Sequence, residues 1–335
     1  MNKRFPEVWK AYKNCKSLDW DENEFNYSSC NVEFKTCQPS VYDMMIRTLA
    51  WQWEADSIAA RSVAPIVACF NPSSELWAAY SAVGTNEVLH SVTYSEIVRN
   101  SFDNPQEVLS EILSVNESLQ RIETVASVMS KTYKTAHQFA LGQVGNTQEV
   151  YNEVYLFFVT MLMLERIQFM ASFAVTFSIC DTGMFLPIGK AVQKIAQDEL
   201  EVHVVLGKAV LTYEHATERG QLARIECRTK IERIIEEIVS CELIWVDHLF
   251  SEGRELVGLN AELLKKWVLF NAKDIYSFLD LTSVRPLPEK NPLLFMENWL
   301  NIGKTQASPQ EQANGQYKLN IMRRNDQEES FAIDF

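Results

Sequence analysis

Tyr155-Leu156-Phe157-Phe158-Val159-Thr160-Met161-Leu162-Met163-Leu164-Glu165-Arg166-Ile167-Gln168-Phe169-Met170-Ala171-Ser172-Phe173-Ala174-Val175-Thr176-Phe177-Ser178-Ile179-Cys180 is the most apolar run of the chain, and it carries a carboxylate near its middle. Its length suggests a membrane span. Glu165 and Arg166 split it into apolar arms of 10 and 14 residues, each shorter than the ~20 residues a span requires. The run reads instead as a helix buried in a protein core. A lone carboxylate there costs several kcal/mol unless it has a partner. The question is which other residues share that interior with Glu165.

The rest of the chain favours helices. Its 335 residues are 47% apolar, enough for a sizeable core, and only 11 Gly and 10 Pro interrupt it. Helical periodicity predicts helices at roughly 39–70, 73–101, 104–140, 147–180, 187–216, 219–253, 260–282 and 290–302. Only a short segment near Val144 hints at a strand. The first 38 residues read as a less regular N-terminal arm holding Trp9 and Trp20, ahead of one helical domain over 39–303. From Lys304 to Phe335 the chain is rich in Gln, Asn, Ser and charge, which predicts a flexible tail.

A net charge of −13 with no basic patch argues against nucleic-acid binding. The 7 Cys form no C-x-x-C pair, and that usage fits reduced thiols in a cytoplasmic protein. The segment Met1–Trp20 has no apolar core of a secretory signal. No Gly-rich phosphate loop is visible.

Three further places set metal-ligating residues inside apolar helices: Asp56 in the first, Glu87 with His90 in the second, and Asp198, Glu199 and His203 in the fifth. The order is Asp, Glu-x-x-His, Glu, Glu-x-x-x-His. Glu87 and His90 lie about 300° apart on a helix and Glu199 and His203 about 400°, so each pair reaches one side. A lone Glu-x-x-His is usually a surface feature. Four helices contributing in this order match the ferritin-like bundle, where such ligands hold two metal ions. Glu54, Glu96, Glu201 and the Glu236-Glu237 pair read as solvated or ion-paired, and His137, His215 and His248 as ordinary helix-surface histidines.

These residues, together with Tyr94, give the chain a resemblance to the small (beta) subunit of class I ribonucleotide reductase, over about residues 5–335. The resemblance implies an all-α, ferritin-like bundle with additional helices and a di-metal site of iron or manganese. Its ligands would be Asp56, Glu87, His90, Glu165, Glu199 and His203. Tyr94, four residues after His90, takes the place of the family's radical tyrosine, and Phe169, Phe173 and Ile195 that of its apolar pocket. Trp20 matches the tryptophan that carries the radical away, and Asp198 the carboxylate linking it to His90. Glu311 and Tyr317 match the tail residues at the subunit interface. Glu328-Glu329-Ser330-Phe331-Ala332-Ile333-Asp334-Phe335 resembles the peptide that docks on the large subunit. One departure is clear: the family usually has Glu-x-x-His in its last ligand helix, where this chain has Glu199-x-x-x-His203, a spacing a π-bulge could absorb.

The implied activity is radical generation for ribonucleotide reduction, by a homodimer active only with the large subunit. A stand-alone ferritin-like oxidase would share the ligands but need neither Tyr94 nor the tail. A storage or scaffold protein would need none of Trp20, Asp198, Tyr94 and Tyr317.

Overall fold

The computed structural model describes residues 3–113 and 116–301, with side chains described outside 111–119. The tail from Lys304, including Glu311 and Tyr317, lies outside the described residues. Helix α1 runs Pro6–Ser17, α2 Ser28–Thr36, α3 Pro39–Cys69, α4 Ser74–Ser101, α5 Pro105–Leu113 and α6 Asn116–Ala140. The apolar run forms all but the first seven residues of α7, Gln148–Cys180. Helix α8 covers 186–215, α9 Glu218–Glu226, α10 Arg228–Leu249, α11 Ala261–Leu279 and α12 Phe295–Trp299. Among the described residues there is no strand; the segment around Val144 is a turn.

The helices start where local chemistry satisfies their first amides. The side chains of Ser73, Thr147, Thr217 and Asn260 accept from the N–H groups of Leu76, Val150, Gly220 and Leu263. Pro6 and Pro39 occupy first turns, where no N–H is missed. The expected helix at 219–253 is divided at Cys227, and that expected at 290–302 contracts to α12. The N-terminal arm is more regular than its sequence suggested. In α1, Val8, Ala11 and Cys15 form a buried stripe at helical spacing, and α1 packs on α4 and α8. The stripe is short and set among charged residues, so its period was easily overlooked.

Helix α7 is long and apolar enough to cross a membrane, yet it is the centre of the bundle, with 83% of its most apolar window buried inside the protein. Helix α3 packs on α4, α6 and the second half of α7, while α10 joins α6 to α11. Two glycines permit close approaches. A Cβ on Gly84 would lie 2.8 Å from the Cβ of Ala64, so α3 and α4 touch almost backbone to backbone there. On Gly189 it would lie 2.8 Å from the Cys180 sulfur, where α8 folds back on α7. Helices α7 and α8 each contain one π-helical turn, Leu164–Gln168 and Glu199–His203.

Candidate metal centre

Four helices aim their buried polar residues at one interior volume. Asp56 comes from α3, Glu87 and His90 from α4, Glu165 from α7, and Glu199 and His203 from α8. Ligand atoms of Asp56, Glu87, His90 and Glu199 all lie within 4.8 Å of one another, as do those of Glu87, Glu165, Glu199 and His203. Glu87 and Glu199 belong to both groups. The arrangement would hold two adjacent cations, with Glu87 and Glu199 within reach of both, Asp56 and His90 within reach of one, and Glu165 and His203 within reach of the other.

The donor set fits that purpose. His90 Nδ1 stands 3.2 Å from Glu199 Oε1 and 3.8 Å from Glu87 Oε2; His203 Nδ1 stands 2.6 Å from Glu199 Oε2 and 3.5 Å from Glu87 Oε1. Despite these approaches, both oxygens of Asp56, Glu87 and Glu199, Oε2 of Glu165, Nδ1 of His90 and both ring nitrogens of His203 make no hydrogen bond. Buried polar atoms are nearly always paired, and so many orphans around one point call for a positive partner. Four carboxylates balance two divalent ions in charge.

Electrostatics agrees. Burial, then the neighbouring carboxylates, pushes Asp56 and Glu165 well above the carboxylate range and Glu87 up to about 7. Burial opposes the charge on Glu199 too, but the charge of His203 and the close approach of the His90 and Glu165 side chains hold it well below its ordinary value. Burial would depress His90, but the Asp198 hydrogen bond and nearby carboxylates raise it; His203 is raised by Glu199 against the same penalty. Without cations the cluster therefore holds protons that bound metal would displace.

Both π turns fall at ligands. The turn Glu199–His203 returns two residues four apart to one side of α8. The turn Leu164–Gln168 holds Glu165, a feature the sequence did not announce. Glu201 is half-exposed, and its backbone carbonyl accepts from Asn14 Nδ2; it is in neither ligand group.

Around the ligands, Asp198 Oδ2 accepts from Trp20 Nε1 at 2.7 Å and lies 3.1 Å from His90 Nε2. The rings of Trp20 and His90 stack with centroids 6.2 Å apart. Tyr94 is buried, and its hydroxyl has no hydrogen-bond partner. Burial first, then the charge of Asp56, holds this phenol well above its usual range. Phe169, Phe173 and Ile195 are fully buried. Sequence reading missed Asn86 and Cys15 beside Asp198, and a buried carboxylate outside this cluster, Glu242. The latter stands in the apolar run Ile238–Trp245, so the criterion that singled out Glu165 would have found it.

A helical core enclosing two carboxylate-bridged cation positions defines a di-metal carboxylate protein. The model of the family "ribonucleotide reductase, small chain" matches residues 1–292, and the chain belongs to that family. The ribonucleoside-diphosphate reductase subunit beta of Buchnera aphidicola (subsp. Schizaphis graminum) is 26% identical over 322 residues, covering 88% of this chain and 81% of the relative. The ribonucleotide reductase R2 subunit of Clostridium botulinum superposes with a TM-score of 0.73 at 15% identity, covering 90% of this chain and 92% of the other. The dimanganese(II) NrdF of Streptococcus sanguinis does so with a TM-score of 0.70 at 14% identity, over 90% and 97%. The chain is thus the small subunit of a ribonucleotide reductase, an oxidoreductase component that works with a large subunit, and its centre is a site for two iron or manganese ions.

Proposed function

We propose that Tyr94 holds the radical, that Asp56, Glu87, His90, Glu165, Glu199 and His203 are the metal ligands, and that Trp20 and Asp198 begin the route to the large subunit. When bound, the two ions supply the oxidising power, drawn from oxygen or a reduced oxygen species, that oxidation of a phenol requires. Tyr94 remains protonated in its dry pocket, so it gives up an electron and its proton together. After burial itself, the charge of Asp56 acts most strongly on that phenol and keeps it in its protonated form. Phe169, Phe173 and Ile195 keep water and reductants from the radical. The observation that carries the route is the pair of contacts on Asp198 Oδ2, which join the indole of Trp20 to the ring of His90.

The route continues, in this reading, through Glu311 and Tyr317 on the tail, and the last eight residues dock on the large subunit. The helical body over 39–303 acts as a homodimer in the cytoplasm. Tyr94→Phe tests the central assignment. Metal content should stay near two ions per chain, as the ligand set requires, while electron paramagnetic resonance shows no stable tyrosyl signal. A signal of unchanged shape would place the spin elsewhere.

A further inference from the structure

Asp198 Oδ2 has a third neighbour besides Trp20 and His90. Asn86 Nδ2 donates to it at 3.0 Å. A carboxylate can only accept here, so the Asn86 amide must turn its nitrogen toward Asp198 and its oxygen away. That oxygen meets a donor, the Cys15 thiol, with Sγ 2.8 Å from Oδ1. All five groups are buried. Burial also pushes the Cys15 thiol up, which keeps the S–H that the bond needs.

Two donors from different elements would leave the Asp198 carboxylate free to rotate and to exchange its oxygens. Asn86 and His90 stand four apart on α4, on one face of one helix. Together they fix Oδ2 relative to α4, and Trp20, arriving from the N-terminal segment, docks on an acceptor already set. Cys15 and Asn86 also line a surface cavity of about 310 Å³, shared with Tyr12, Lys16, Asp19 and Trp77.

We propose that Asn86 is the positioning residue of the Trp20–Asp198–His90 link, and that the Cys15 thiol, at the floor of a surface cavity, latches the Asn86 amide in its working orientation. Its importance for turnover rests on the route proposed above; the clamp itself does not.

The test uses full-length, ¹⁵N-labelled protein loaded with Zn(II), a redox-inert and diamagnetic ion. The Trp20 indole resonance is assigned by its loss in Trp20→Phe, and exchange of its N–H with solvent is timed. Asn86→Ala and Cys15→Ala should each speed that exchange at least tenfold, with the double variant no faster than either. Cys15→Ser, which keeps a donor, should match the parent. A packing role alone predicts the reverse order for Cys15, because Ser is the more polar intruder. The proposal is overturned if Asn86→Ala leaves the exchange within twofold of the parent, or if Cys15→Ser behaves as Cys15→Ala. Should Asn86→Ala fail to fold, the two Cys15 variants decide. With iron- or manganese-loaded protein and the large subunit, Asn86→Ala should keep the radical signal and lose nucleotide reduction at least tenfold. Full turnover by Trp20→Phe would remove the route while leaving the exchange result to judge the clamp.

Discussion

Glu165 and Glu242 are both buried carboxylates on apolar helices, and they are satisfied in different ways. Glu242 is bound bidentately by Arg121, with Nε to Oε1 at 2.9 Å and a terminal nitrogen to Oε2 at 2.7 Å. The guanidinium lies over the rings of Trp51 at 3.7 Å and Trp245 at 4.7 Å. Glu242 is thus already neutralised and needs no ion. Glu165 has no comparable cation. Glu165→Ala should therefore give a folded protein that binds well under two metal ions, measured by elemental analysis, while Glu201→Ala binds the full complement. Glu242→Ala should do the opposite: it leaves Arg121 buried and unpaired, costing about 3–5 kcal/mol in denaturant unfolding, with the metal ligands intact. Glu87 adds a pH dependence. Its folded value of about 7 lies above the ordinary 4.5, so its contribution to the metal-free fold is complete below 4.5 and is lost as pH rises through 7. Metal-free protein should melt at a lower temperature at pH 8 than at pH 5.5. Metal binding should strengthen over the same window as the displaced protons leave. Equal melting temperatures at the two pH values would contradict that sign.

At the scale of elements, ligand geometry depends on how closely α3 and α4 approach. Gly84 lies one turn before Glu87 and touches Ala64, two turns beyond Asp56. Gly84→Val would push the helices apart, at a cost of about 1–3 kcal/mol for overpacking, and should weaken metal retention against a chelator by spreading Asp56 from Glu87. If the variant keeps its metal as the parent does, the contact does not set the site. This dependence was invisible in the sequence, where Gly84 reads only as a weak point in a helix. What was legible followed from periodicity and burial cost: α3, α4 and α7 lie within a residue or two of their expected bounds, because long apolar stripes and capping residues mark them. The π turn at 164–168 was not legible, since no residue type announces one. The Glu199–His203 turn left a trace only as an unusual spacing. Cys15 and Asn86 were missed because a polar residue in a helix is ordinary until its neighbours from other helices are known.

At the scale of the whole molecule, the proposed reading gives the acidic body and the polar tail separate tasks. Deleting the last eight residues should abolish nucleotide reduction with the large subunit and leave a Tyr94 radical intact, since the six proposed metal ligands all lie between Asp56 and His203. A synthetic peptide of those residues should inhibit the complete enzyme. Loss of the radical on deletion would make the tail part of the fold. The position of Trp20 has a different consequence. All six proposed ligands and Tyr94 lie at or beyond Asp56, in helices that pack on one another, whereas Trp20 sits in the short connection between α1 and α2. If the proposed route through Trp20 holds, the N-terminal segment behaves like a fuse in a circuit. Peeling it away, by limited proteolysis before Tyr27 for example, would leave a charged power source with its outgoing wire cut. The chain could then lose its output at its margin while the stored oxidant survived, and the failure would be silent to any measurement of metal or radical.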